Sequence, residues 1–85
     1  MVRITMYSSG SCPYCIMAER FLHSKGVREI EKIRIDTDPI RRIEMIKKTG
    51  RRTVPQIYIG EVYVGGYDDL VKLDSDKKLT KLLID

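Results

Sequence analysis

Apolar and polar side chains alternate at the start of the chain and then switch to helical spacing. Residues 2–7, VRITMY, alternate and contain β-branched side chains, which predicts a β-strand. After a polar loop, apolar residues recur at helical spacing from Pro13 onward, and Lys25 and Gly26 end the predicted helix. The apolar stripe of this helix consists of Cys15, Ala18, Phe21 and Leu22, widened by Ile16 and Met17.

The same change from strand to helix follows once more. Residues 29–36, EIEKIRID, alternate and predict a second strand, and Pro39 begins a helix that Gly50 ends. This second helix carries on one face Ile40, Ile43 and Ile46. Because the first helix connects the first two strands, we expect these strands to be parallel, with a right-handed crossover.

The last part of the chain predicts a hairpin and further helix. Two short strands are expected near 56–59 and 62–64, with Gly60 and Glu61 suited to the tight turn between them. The segment after the hairpin predicts one helix or two, with leucines at Leu70, Leu73, Leu79, Leu82 and Leu83. The expected fold class is therefore α/β, a small four-stranded mixed sheet flanked by helices, with residues 1–85 as a single domain.

Composition and charge narrow the classes of protein. With 42% hydrophobic and 33% charged residues, the chain has the composition of a folded domain. The net charge is +4, and the basic run at 40–53 lacks interleaved aromatic residues, so we expect a solvated helix face and no nucleic-acid partner. No apolar run reaches the roughly 18 residues that cross a bilayer, and MVRITMY lacks a signal-peptide core. We therefore expect a cytoplasmic protein without a membrane partner.

Cys12 and Cys15 carry the candidate chemistry. With Cys12 as the helix cap and Pro13 as the first helical residue, the free amides and positive dipole end of the helix stabilise a Cys12 thiolate. Cys15 lies one turn later on the same side, which brings the two Cα atoms near the roughly 5.5 Å of a disulfide. Its position on the apolar stripe keeps it protonated until its partner is attacked. This asymmetry predicts that Cys12 is the nucleophile and Cys15 the resolving thiol.

Other uses of the cysteine pair have less support. A permanent crosslink is disfavoured in a reducing cytosol, where structural disulfides are rare. Structural zinc usually takes four ligands, and the chain offers one cysteine pair and a single histidine, His23, so no metal site is expected within a monomer. Two subunits that share their cysteines could still bridge a metal cluster, and this alternative stays open.

Two downstream segments suggest a ligand site. In TVPQIYI, Pro55 is either a strand-edge proline or part of a cis Val54–Pro55 bond beside which an extended peptide can pair with the backbone. In GGYDDL, Asp68 and Asp69 suit the positive end of a helix. A functional interpretation adds a ligand carboxylate bound by the amides around Tyr67 and Asp68, and a ligand ammonium bound by the Asp68 side chain. For Asp69 we predict only a favourable interaction with the helix dipole.

Three motifs occur in order and at a specific spacing: CPYC at 12–15, TVPQIYIG at 53–60 and GGYDDL at 65–70. On these motifs the chain resembles a bacterial glutaredoxin of the dithiol CPYC class, over essentially its full length. The resemblance implies a thioredoxin-like fold and a glutathione-dependent oxidoreductase that reduces protein–glutathione mixed disulfides and protein disulfides. It also implies that glutathione is a co-substrate, that no cofactor is tightly bound, and that a monomer acts on glutathionylated or disulfide-containing proteins.

The resemblance further implies roles for individual residues. Cys12 would be the nucleophile and Cys15 the resolving thiol of a redox-active disulfide. The Val54 backbone would pair with the cysteinyl part of glutathione. Arg42, on the second helix, would bind the carboxylate of the glycine residue of glutathione. The implied glutathione-binding residues, with no metal ligand among them, are Tyr14, Arg42, Thr53, Val54, Pro55, Gly66, Tyr67 and Asp68.

The chain departs from the family at two positions, and two other protein classes remain as alternatives. Ser9 stands where many members have a lysine, which removes one usual contribution to thiolate stabilisation. Tyr67 stands where many relatives carry an additional cysteine. A thioredoxin-like reductase would usually carry CGPC in place of CPYC. An iron–sulfur cluster carrier, a dimer bridged through Cys12 and glutathione, would usually carry CGFS.

Overall fold

The computed structural model describes residues 2–84 and contains four strands and four helices in that range. The strands are β1 (Ile4–Ser8), β2 (Ile30–Arg34), β3 (Gln56–Ile59) and β4 (Val62–Gly65). The helices are α1 (Pro13–Ser24), α2 (Pro39–Thr49), α3 (Tyr67–Ser75) and α4 (Leu79–Ile84). The predicted elements are therefore present, with small shifts at their ends. None of the helices within residues 2–84 combines the length and apolar character needed to cross a membrane.

The four strands form a mixed sheet in the order β2-β1-β3-β4. β1 and β2 are parallel, as the helical connection between them predicts, and the other neighbouring pairs are antiparallel. Because β1 is antiparallel to β3, Tyr7 near the end of β1 pairs with Gln56 at the start of β3. The loop after β1 and the loop before β3 therefore meet at one end of the sheet. The predicted four-stranded mixed sheet flanked by helices is confirmed.

The hydrophobic core has two parts, one on each face of the sheet. The buried members of the larger part are Ile4, Met6, Ala18, Leu22, Val27, Ile57, Ile59, Leu70, Leu79 and Leu83. The smaller part, under α2, contains Tyr7, Ile35 and Met45, surrounded by the partly buried Ile33, Ile46, Val54 and Tyr58. Strand side chains alternate between faces, which places Met6 and Tyr7 in different parts of the core.

The three isoleucines on one face of α2 differ in burial, and only Ile46 is partly buried. Met45 is fully buried, whereas Ile40 and Ile43 are 76% and 54% exposed. A polar contact holds the inner side of α2, because the buried Tyr7 hydroxyl donates a hydrogen bond to Glu44. Burial, reinforced by this bond, raises the pKa of Tyr7, and the same bond lowers the pKa of Glu44. Of the three isoleucines that share a face of α2, only Ile46 packs against the smaller part of the core.

The buried stripe of α1 is also narrower than predicted. The buried residues of this helix are Cys15, Ala18 and Leu22. Ile16 and Met17, which were expected to widen the stripe, are exposed. Phe21, which was predicted on the same stripe, is partly buried and packs against the larger part of the core.

Candidate active site

Cys12 caps the N-terminus of α1, as its place before Pro13 predicts. Its backbone is extended, with φ −131° and ψ 98°, and Pro13 is the first helical residue. The Cys15 amide donates a hydrogen bond to the Cys12 sulfur at 3.1 Å. The two cysteines form a disulfide, and their Cα atoms lie 5.2 Å apart. When the disulfide is reduced, the same amide and the helix end are placed to stabilise a thiolate on Cys12.

The two cysteines have different neighbours, although both are buried in the disulfide. Cys15 is 4% exposed and lies on the buried stripe of α1. Cys12 is 8% exposed, and its sulfur lies 3.7 Å from the carbonyl oxygen of Val54. Apolar surroundings favour a neutral thiol at Cys15, and the helix end favours a charged sulfur at Cys12. The surroundings of Cys15 suit a resolving thiol, and those of Cys12 suit a nucleophile.

The segment that faces Cys12 contains a cis Val54–Pro55 peptide bond, the second of the two interpretations of this proline. Pro55 is buried, and Thr53 is exposed. The side chain of Gln56 donates a hydrogen bond from Nε2 back to the Thr53 carbonyl at 3.0 Å. The backbone of Val54 is therefore held beside the Cys12 sulfur.

A groove of about 360 Å³ connects the cis-proline segment to the N-terminus of α3. Its lining residues are Tyr14, Arg51, Thr53, Val54, Pro55, Gln56, Gly66, Tyr67, Asp68 and Asp69. The structure thus brings together all the predicted ligand-binding residues except Arg42, which is exposed on α2 and does not line the groove. Three lining residues had no predicted place in it: Arg51, Gln56 and Asp69.

Asp69 connects the two walls of the groove, which is more than the dipole contact predicted for it. Its Oδ2 accepts a hydrogen bond from the Gly66 amide at 2.9 Å and pairs with Arg51 Nη1 at 3.0 Å. The Gly66 amide, followed by Arg51, lowers the pKa of the Asp69 carboxyl. A Cβ at Gly65 would lie 2.8 Å from Asp69 Cγ, so the carboxylate needs a glycine beneath it. The three-residue spacing of Gly66 and Asp69 is typical of a helix cap, so this contact of Asp69 could have been predicted from the sequence. No local pattern indicates that Arg51 pairs with Asp69.

Aromatic rings connect α1 to α3 beside the groove. The ring centroids of Tyr14 and Tyr67 lie 6.1 Å apart, and Phe21 meets Tyr67 edge-on at 6.4 Å. These separations lie in the range of favourable aromatic pairs. Tyr14 stays largely exposed, so one wall of the groove is an accessible aromatic side chain.

An ion pair at the end of β2 holds the loop that leads to Cys12. The Asp36 carboxylate accepts a hydrogen bond of 3.0 Å from the Gly10 amide, and Arg34 donates two hydrogen bonds of 2.7 Å to the same carboxylate. The Arg34 guanidinium, followed by the Gly10 amide, holds the pKa of Asp36 well below its usual range. Since Arg34 is paired and Ser9 is uncharged, these residues add no net positive charge beside Cys12.

The described part of the chain groups no three His, Cys, Asp or Glu side chains that could hold a metal ion. His23 is on the last turn of α1, at the other end of the helix from Cys12. Its Nδ1 lies 2.7 Å from the Val27 carbonyl oxygen. This histidine is therefore placed away from the cysteine pair.

Comparisons with known proteins agree on one family. The family model named Glutaredoxin matches residues 4–64. A curated glutaredoxin of Neisseria meningitidis serogroup A is 48% identical over 83 residues, which cover 98% of each chain. The solution structure of glutaredoxin from Brucella melitensis has a TM-score of 0.84 at 44% identity and covers 98% of this chain and 89% of that chain. A crystal structure of a buckwheat glutaredoxin–glutathione complex has a TM-score of 0.87 at 27% identity and covers 96% of this chain and 76% of that chain.

The contacts of Asp69 predict a pH-dependent effect on stability. Because its pKa is lowered on folding, Asp69 contributes stability above its unfolded pKa of about 3.9 and loses it as the pH falls through the folded-state value. Asp69→Asn should lower the free energy of unfolding at neutral pH by roughly 0.5–1 kcal/mol, the low end for a capping side chain that water partly screens. This difference from the wild type should shrink as the pH falls below about 4.

Urea unfolding at neutral and acidic pH measures this effect, with Asp68→Asn as the control. Asp68 is exposed and makes no side-chain hydrogen bond or ion pair to any residue in 2–84. Its substitution should therefore change stability less and without the same pH dependence. A pH-independent loss in Asp69→Asn, or an equal loss in the control, would contradict the assigned contacts.

Proposed function

This chain belongs to the glutaredoxin family and is a thiol–disulfide oxidoreductase, and we propose that glutathione is its reductant. The proposed substrates are protein–glutathione mixed disulfides and protein disulfides. The main support is the groove, whose lining joins the Val54 backbone beside Cys12 to the N-terminus of α3. We further propose that the protein acts as a monomer in the cytoplasm, where a reducing thiol pool keeps cysteines available.

The charged groups of glutathione match groups along the groove. Glutathione carries two carboxylates and one ammonium, joined through a cysteinyl residue. The amides of Tyr67 and Asp68 lie in the first turn of α3, where they have no helical partner and can bind the γ-glutamyl carboxylate. The Asp68 carboxylate can bind the ammonium. The half-exposed Arg51 keeps further donors for a carboxylate after pairing with Asp69.

The cysteinyl part of glutathione would lie along the cis-proline segment. An extended peptide can pair with the backbone of Val54 as an added strand. Because the Val54 carbonyl is 3.7 Å from the Cys12 sulfur, a cysteinyl sulfur paired there would lie close to the nucleophile. The buckwheat relative was solved as a complex with glutathione, which supports the choice of ligand.

In the proposed reaction, the Cys12 thiolate attacks the glutathione sulfur of a protein–glutathione disulfide. A Cys12–glutathione disulfide forms, and the protein thiolate leaves and takes up a proton. The thiolate of a second glutathione then attacks the bound glutathione sulfur. Glutathione disulfide leaves, and the Cys12 thiolate is restored without any part for Cys15.

Reduction of a protein disulfide requires both cysteines. The Cys12 thiolate attacks one substrate sulfur, and the Cys15 thiolate then attacks the Cys12 sulfur of the mixed disulfide. The substrate leaves as a dithiol, and a Cys12–Cys15 disulfide forms, which is the bond present in this structure. Two glutathione thiols reduce this bond and leave as one glutathione disulfide.

Serine substitutions should separate the two cysteines. Cys12→Ser should reduce the release of glutathione from a glutathionylated peptide to the uncatalysed rate, because a serine hydroxyl does not ionise at neutral pH. Cys15→Ser should keep this release and lose most of the reduction of a protein disulfide. Glutathione release is followed through a coupled glutathione reductase. If Cys15→Ser were as inactive as Cys12→Ser on the peptide, the one-cysteine pathway would be wrong.

Two arginine substitutions should identify the cation that binds a glutathione carboxylate. Arg51→Gln should raise the KM for a glutathionylated peptide by about tenfold, which corresponds to about 1.4 kcal/mol and to the loss of one charged hydrogen bond. Arg42→Gln is the matched variant, and its effect should be smaller because Arg42 does not line the groove. A larger rise in KM for Arg42→Gln would assign the carboxylate to Arg42, as the family resemblance implies.

A further inference from the structure

Gln56 is a buried amide at the base of the groove. It is the first residue of β3 and is only 1% exposed. Its Oε1 accepts a hydrogen bond from the Tyr63 hydroxyl at 2.6 Å. Its Nε2 donates to the Thr53 carbonyl at 3.0 Å and lies 3.4 Å from Thr53 Oγ1. The amide therefore links β4 to the segment that precedes the cis proline.

The chemistry of the partners gives this chain of hydrogen bonds one direction. A carbonyl oxygen can only accept, so the amide nitrogen of Gln56 must face Thr53. The Oε1 atom then faces Tyr63, whose hydroxyl must donate. Removal of that single O–H would leave a buried acceptor without its partner and would free the amide to turn.

The chain of hydrogen bonds ends at the wall of the groove that faces Cys12. Thr53 and Gln56 both line the groove, one on each side of Val54 and Pro55. The Val54 carbonyl lies 3.7 Å from the Cys12 sulfur. Tyr63 does not line the groove, so its hydroxyl is connected to the groove by the hydrogen bond to Gln56.

We propose that Tyr63 and Gln56 are positioning residues that hold the Val54 backbone at the distance from Cys12 at which glutathione pairs with it. This role rests on the proposed function, because it concerns the same groove. Loss of the hydrogen bond from Tyr63 to Gln56 should weaken the binding of glutathione-containing substrates. It should leave the chemistry of the cysteine pair intact.

A packing role for Tyr63 would depend on its ring and not on its hydroxyl. The rings of Tyr58 and Tyr63 lie 5.3 Å apart across the hairpin, a favourable distance for aromatic side chains. Tyr63→Phe keeps this ring pair and removes only the O–H. Tyr58→Phe is the matched control, because the Tyr58 hydroxyl has no hydrogen-bond partner among residues 2–84.

The test compares two reactions of each variant. One is turnover of a glutathionylated peptide with glutathione and glutathione reductase, which uses the groove. The other is reduction of the Cys12–Cys15 disulfide by dithiothreitol, which has no glutathione to bind. Tyr63→Phe should raise the KM for the peptide about fivefold with little change in kcat, as expected for one lost neutral hydrogen bond. It should match the wild type with dithiothreitol, and Tyr58→Phe should match the wild type in both reactions.

Gln56→Glu provides a second variant. A carboxylate cannot donate to the Thr53 carbonyl, so the KM should rise more than in Tyr63→Phe. An unchanged KM in Tyr63→Phe, or a rise that Tyr58→Phe reproduces, would overturn the positioning role. An equal loss in the dithiothreitol reaction would also overturn it, since that result indicates general loosening. If the wild type itself fails to turn over the peptide, the proposed function fails and this role fails with it.

Discussion

The hydrogen bond from the Cys15 amide to the Cys12 sulfur is the contact on which the rest of the site depends. It forms because Pro13 can begin α1 without an amide donor and leaves the following amides free to face the preceding residue. In the dithiol state, the same donor and the helix dipole favour a charged sulfur at Cys12. The remaining residues of the site hold this sulfur in place or form the groove that would bring a disulfide to it.

The order of strands in the sheet explains why distant segments meet at Cys12. Antiparallel pairing of β1 with β3 sets Tyr7 opposite Gln56, so the loop after the first strand meets the cis-proline segment. β4 ends at Gly65, which pairs with Ile57, and α3 therefore begins beside the same segment. The position of the groove therefore depends on strand pairing as well as on its own side chains.

Sequence patterns were sufficient for features that depend on neighbouring residues. The helix cap at Cys12 follows from the proline after it, and the order of strands and helices follows from apolar spacing. Features that depend on distant residues were missed, such as the ion pair between Arg51 and Asp69, 18 positions apart. The hydrogen bond between Tyr7 and Glu44 was missed for the same reason. From the sequence, Glu44 is expected to be exposed to solvent. Only the fold brings it to the Tyr7 hydroxyl, which is 37 positions away in the sequence.

The pKa of Cys12 in the reduced protein tests this account most directly. In the Cys15→Ser variant Cys12 is the single cysteine, so any thiolate absorbance that develops below the range of tyrosine ionisation comes from Cys12. We predict a pKa below about 7.5, as for cysteines at helix N-termini, even though Ser9 contributes no charge. The same variant in denaturant should titrate near the value of about 8.5 for a free cysteine. A folded-state pKa equal to the denatured one would contradict the claim that the α1 N-terminus activates Cys12.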